Sequence, residues 1–80
     1  MDNQHYKTGL YVIYDKVAQQ SGPVMELVND EVAKRITKKM LKEAKLEKDE
    51  VILYLIGRYN NETVQLFRNN NMEIDLGDME

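Results

Sequence analysis

The 80-residue chain contains no cysteine and no tryptophan, and only one proline, one histidine and one phenylalanine. Without thiols it can form no disulfide framework, no thiolate-bound metal site and no cysteine nucleophile, a usage that fits a reducing compartment. His5 is the lone imidazole. No serine or aspartate stands from it at a spacing that a catalytic triad demands, so no enzymatic activity is expected. The four glycines, Gly9, Gly22, Gly57 and Gly77, are too scattered to build a loop that cradles phosphate. Carboxylates do cluster, Asp15 with Glu26 and Glu47 with Asp49 and Glu50, but none has the alternating ligands and glycine of a calcium loop, and neither metal nor cofactor is expected. No apolar run reaches the roughly 18 to 20 residues of a membrane helix, and Met1-Asp2-Asn3-Gln4-His5 lacks the charged-then-apolar layout of a secretion signal.

What is present reads as a small folded domain. Apolar residues make up 42% and charged residues 31%, and the five tyrosines argue against disorder. A core this small supplies little stability by itself, so a homodimer is expected to complete it. Leu10-Tyr11-Val12-Ile13-Tyr14 is β-branched and aromatic and predicts a first strand. Ser21-Gly22-Pro23 predicts a turn, and Val24 to Val28 a second strand that begins just after the proline. Asn29 and Asp30 are suited to cap a helix over residues 30 to 45, with Val32, Ile36, Met40 and Ala44, joined by Ala33 and Leu41, on its inward face. Val51 to Tyr59 predicts a third strand, Asn60-Asn61 a hairpin turn, and Glu62 to Arg68 a fourth strand. The order strand-strand-helix-strand-strand predicts an α+β fold, a mostly antiparallel sheet with one helix packed on one face. Residues 1 to 68 form the expected domain, and 69 to 80 an acidic tail or short extra strand that follows a spacer of three asparagines.

The overall charge of −3 is unevenly spread. Between Val32 and Leu46 the six basic residues Lys34, Arg35, Lys38, Lys39, Lys42 and Lys45 meet a single acid, Glu43, so this segment carries +5 and the rest of the chain −8. Helical spacing gathers these cations into one broad stripe, and the phosphates of DNA are its natural ligand. A plain solvated helix face is the competing reading. The tail, with Glu73, Asp75, Asp78 and Glu80, would compete with DNA for the stripe, recruit a partner, or form an ordinary edge strand.

Alternation places Ile52, Tyr54, Ile56 and Arg58 on one face of the third strand and Leu53, Leu55 and Tyr59 on the other, while Tyr11 and Ile13 oppose Leu10, Val12 and Tyr14 on the first. Both sheet faces are therefore apolar, and one helix can cover only one of them. The other must meet a second subunit, a ligand or bases. Tyr11, Tyr54 and Arg58 are candidates to stack on unpaired bases, which favours single-stranded DNA. A dimeric module that engages proteins without nucleic-acid affinity is the alternative.

Leu10 through Pro23, then Asn29 through Arg35, then Leu53-Tyr54-Leu55-Ile56-Gly57 and Tyr59, resemble the small non-structural protein of gokushoviruses, phages of the microvirus group with single-stranded DNA genomes. The shared pattern is Tyr14-Asp15, Ala18, Ser21-Gly22-Pro23, Asn29-Asp30, Ala33 and Arg35, in fixed order within residues 10 to 59. The resemblance implies a phage protein of the host bacterial cytoplasm that binds DNA or acts at the switch from duplex replication to single-stranded genome production; packaging as a further occasion, and a phage or host replication protein as the partner of the alternative module, are expectations beside it. The chain departs from the pattern at Met25, where an aromatic residue is frequent, and the pattern does not reach the acidic tail.

Overall fold

The computed structural model describes residues 7 to 77. His5 and the last residues of the acidic tail, Asp78, Met79 and Glu80, lie outside that range. Along the chain come β1 (Thr8–Asp15), β2 (Gln20–Ser21), β3 (Met25–Leu27), α1 (Asp30–Ala44), a short 3-10 turn (Lys48–Glu50), β4 (Val51–Asn60) and β5 (Gln65–Ile74). They form one open antiparallel sheet in the order β2-β1-β4-β5, with β3 paired to the same side of β1 as β2. With one helix on this sheet, the fold is the expected small α+β arrangement.

β2 and β3 are two pieces of one interrupted partner of β1. Tyr14 pairs with Ser21 and Tyr11 with Met25, and between them Gly22 N–H still donates to Ile13 C=O at 3.0 Å. Pro23 follows, and having no N–H it cannot continue the ladder. The expected strand at 24 to 28 thus shortens to Met25–Leu27.

The two main turns share one design. In each, four residues join the paired ends, Asp15 with Gln20 and Asn60 with Gln65. The first residue caps its own turn: Asp15 Oδ1 accepts from Val17 and Ala18 N–H at 2.9 and 3.0 Å, and Asn60 Oδ1 from Glu62 and Thr63 N–H at 2.9 and 3.3 Å. The last loop residue swings into left-handed space, Gln19 at φ 61° and Val64 at φ 59°. For a β-branched side chain this region is strongly disfavoured.

Asn29 caps α1, its Oδ1 accepting from Val32 N–H at 3.0 Å, and Asp30 and Glu31 face the positive end of the helix dipole. Lys45, at φ 58°, ends the helix, and its N–H returns to the carbonyls of the last turn. The inward stripe is Ala33, Thr37 and Leu41, each fully buried: Ala33 and Leu41 turn inward as expected, Thr37 joins them, and of the expected Val32, Ile36, Met40 and Ala44 line only Met40 packs against the core. Ile36 is 37% exposed and Ala44 is exposed as well. Two features favour this rotation. Ala33 is small enough to let the helix sit close to the sheet, and the Thr37 hydroxyl is buried without loss because it donates to Ala33 C=O at 2.8 Å.

The core lies between α1 and one face of the sheet, where Tyr11, Leu53, Leu55 and Val51 meet Ala33 and Leu41. Ile74 and Leu76 close it, at 8% and 7% exposed. The expected boundary after Arg68 consequently falls inside β5, which runs on to Ile74. The three asparagines are not a spacer but a bulge. Leu55 pairs with Met72 and Gly57 with Arg68, so Asn69, Asn70 and Asn71 together oppose Ile56. Carbonyls released by the bulge are recovered by side chains: Arg68 Nη1 donates to Ile56 C=O at 2.7 Å and Asn69 Nδ2 to Leu55 C=O at 3.0 Å.

Val64 is 74% exposed, so its side chain can be removed without loss of packing. Val64→Gly is expected to raise the unfolding free energy by about 0.5 to 1 kcal/mol, read as a higher urea midpoint at unchanged slope.

Candidate nucleic-acid interface

At about 100° per residue, Lys34, Arg35, Lys38, Lys39, Lys42 and Lys45 fall within roughly 140° of arc on α1. The arc starts beside the core at Lys34 and Lys38, both part-buried, and swings outward through Lys45, Lys42 and Arg35 to Lys39, all exposed. From Lys34 to Lys45 the stripe is about 16 Å long at 1.5 Å per residue. Arg35, Lys39 and Lys42 therefore stand on the outer side of the helix, away from the sheet, while Lys34 and Lys38 lie along its flank and Lys45 at its C-cap. Lys34 pairs with Glu31 at 3.4 Å across one turn. Arg35, Lys38, Lys39 and Lys45 form no ion pair with any described residue. The described part of the tail does not reach them: Ile74 and Leu76 are packed in the core, and Gly77 C=O accepts from Lys48 Nζ at 2.6 Å beyond the far end of the helix.

The aromatic candidates do not join this surface. Tyr11 is 0% exposed, and it cannot stack on a base. Its ring lies over Gly9, where a Cβ would come within 2.7 Å of it, and its hydroxyl donates to Asp30 Oδ1 at 2.5 Å in the first turn of α1. Tyr54 pairs with Val12 and so points to the opposite side of the sheet from α1. Arg58 is separated from Tyr54 by a bulge. Leu55 opposes Tyr11, but Gly57 opposes Leu10, so Ile56 is an extra residue and the alternation flips there. Arg58 then opposes Gly9 on the helix side, while Tyr59 joins Tyr54 on the other, the reverse of the strict alternation expected for both. Tyr11, Tyr54 and Arg58 therefore form no common stacking platform. The signal for the flip was Gly57, a glycine inside an otherwise apolar strand, whose Cβ would come within 2.7 Å of Phe67 C=O.

The face turned away from α1 is a second candidate surface. It carries Leu10, Val12 and Tyr14 from β1 and Ile52, Tyr54 and Tyr59 from β4, and among the described residues no element covers it. On it Val12 is buried and Leu10, Tyr14, Ile52, Tyr54 and Tyr59 are part-buried. Two small clefts lie elsewhere. One of about 290 Å³ is apolar and opens between Met40 and Leu46 and the Gly22-Pro23 turn, and one of about 360 Å³ is lined by Lys16, Lys48 and Glu73 among others. Among the described residues no three His, Asp or Glu side chains approach closely enough to hold a metal ion, and no helix is long and apolar enough to cross a membrane. The chain matches no protein-family model, no curated protein and no solved structure.

Burial, the hydrogen bond to Asp30 and the charge of that carboxylate together push the Tyr11 phenol far above its ordinary value, against a smaller opposing pull from Arg58. Because the folded-state value is raised, this contribution to stability is complete below about pH 10 and is lost as the pH rises beyond it. Tyr11→Phe is expected to cost about 1.5 to 3 kcal/mol at neutral pH and to flatten the decline in stability above about pH 10, both measurable by urea unfolding across the alkaline range.

Proposed function

We infer that the protein is a DNA-binding homodimer that contacts phosphates through the outer side of α1. The cationic arc on that helix carries the reading: four of its six members, Arg35, Lys38, Lys39 and Lys45, form no ion pair with a described residue, in a chain whose overall charge is −3. Lysine and arginine on a rigid helix displace condensed counterions from a polyanion, and that release of counterions drives the association. The arc contains no aromatic group to stack on a base, and its charge is carried by lysine and arginine, which meet phosphates of any sequence.

A preference for single strands needs a stacking platform, and Tyr11 is buried beneath α1 while Tyr54 stands on the far side of the sheet. The setting is that implied by the gokushovirus resemblance: the host bacterial cytoplasm, during phage genome replication or the passage to single-stranded genomes, with packaging as a further occasion. A protein-binding module without DNA affinity is the second reading, favoured by the uncovered sheet face.

Binding to labelled single-stranded and duplex DNA between 50 and 200 mM salt is expected to weaken steeply, with log K falling by about 0.7 or 0.9 per contacted phosphate for each decade of salt. Joint replacement of Arg35, Lys38 and Lys39 by Glu is expected to abolish binding while leaving the urea midpoint nearly unchanged, since exposed helix charges contribute little to stability. Affinity that ignores salt, or survives the triple replacement, refutes the assignment to α1.

A further inference from the structure

The uncovered sheet face bears a charge pattern that selects a particular partner. Glu26 pairs with Leu10, Leu10 with Gly57, and Gly57 with Arg68, so these four residues form one row straight across the sheet. Partners in a row share a face, which puts an exposed carboxylate at one end and an exposed guanidinium at the other, both on the side away from α1. Each is held in place from within. Glu26 accepts from the Thr8 hydroxyl at 2.9 Å and from Asn61 Nδ2 at 3.0 Å, and Arg68 donates to Ile56 C=O at 2.7 Å and to Asn71 Oδ1 at 3.0 Å. The next rows inward are apolar or aromatic, Val12 with Tyr54 and Tyr14 with Ile52.

The geometry points to a second copy of this chain as the occupant, packed face to face about a two-fold axis that runs parallel to the strands between β1 and β4. Rotation about such an axis preserves height along the strands and exchanges the two edges of the sheet. It lays Glu26 of each copy over Arg68 of the other, closing two equivalent ion pairs at the rim of an isologous interface. In the same operation Leu10 meets the bare backbone at Gly57 of the second copy, Val12 meets Tyr54, and Tyr14 meets Ile52, so large groups face small or flat ones. The alternative in-plane axis, across the strands and centred on the same row, would set Glu26 on Glu26 and Arg68 on Arg68, and like charges in contact oppose association. The resulting sandwich leaves both α1 helices on its outer layers with their cations in solvent. This interface rests on the homodimer part of the preceding reading and is separate from the DNA contact.

Sedimentation equilibrium of wild type, Glu26→Arg, Arg68→Glu and the doubly exchanged protein tests it. The wild type is expected at twice the chain mass. Each single exchange is expected to weaken dimerisation by roughly tenfold or more, and an equimolar mixture of the two single variants, like the double exchange, is expected to restore it. Because Arg68 also secures the β5 bulge, Tyr54→Lys provides a second probe that leaves the bulge intact, and it is expected to be monomeric with an unchanged circular dichroism spectrum. A wild-type monomer at about 100 µM overturns both the dimer and this interface. Single variants and Tyr54→Lys that pair as well as wild type, or exchanged charges that fail to rescue, overturn the interface alone. DNA binding by the monomeric variant leaves the α1 reading standing in either event.

Discussion

The contact between Tyr11 and Asp30 sets the relation of helix to sheet. The ring fills the space above Gly9, and its hydroxyl meets the carboxylate in the first turn of α1, with no exposure to solvent. A buried phenol needs a partner, and a carboxylate at a helix N-terminus is already favoured by the dipole, so one contact satisfies both elements. It pins the start of α1 at a definite rotation. Ala33, Thr37 and Leu41 turn inward as a result, and the lysines that follow them by one or two positions turn outward.

The two bulges have a comparable influence on the sheet. Period-two alternation would place Arg58 beside Tyr54 and Tyr59 beside Leu55, but the extra residue Ile56 reverses the second half of β4. The asparagine bulge in β5 matches that insertion on the next strand and lets Ile74 arrive opposite Leu53, where it closes the core. Polar side chains make this irregularity affordable, because Arg68 and Asn69 take over carbonyls that the ladder no longer serves. A run of asparagines that reads as low complexity is therefore a piece of β-structure.

Charge and apolar surface end up on opposite sides of the molecule. α1 shields one face of the sheet and presents cations outward, while the other face shows tyrosine and aliphatic side chains with an acid and a base at its rim. Several residues singled out in the sequence serve mainly the fold: Asp15 and Asn29 cap, Pro23 interrupts a ladder, Asp30 receives Tyr11, and Ala33 lets the helix approach. Arg35 differs from these, since it stands exposed in the cationic arc.

Local chemistry was enough to place the helix almost to the residue, because Asn29 and the left-handed Lys45 act on their own neighbours, and enough to place β1 and β4, because β-branched and aromatic runs favour extended chain wherever they occur. The gathering of six cations on one helix was legible for the same reason: helical spacing is a property of the backbone alone. Which residues look inward was legible only in part: Ala33, Leu41, Leu53 and Leu55 fell where expected, while Thr37, Tyr59 and Arg58 did not. The rotation of α1 depends on Tyr11 reaching Asp30 across 19 positions of sequence, and the flip in β4 depends on how β1 and β5 pair with it. Such choices are made between distant segments, by packing and hydrogen bonding that no local pattern contains, so the separation of the tyrosines from the lysines was decided only when the sheet and helix came together.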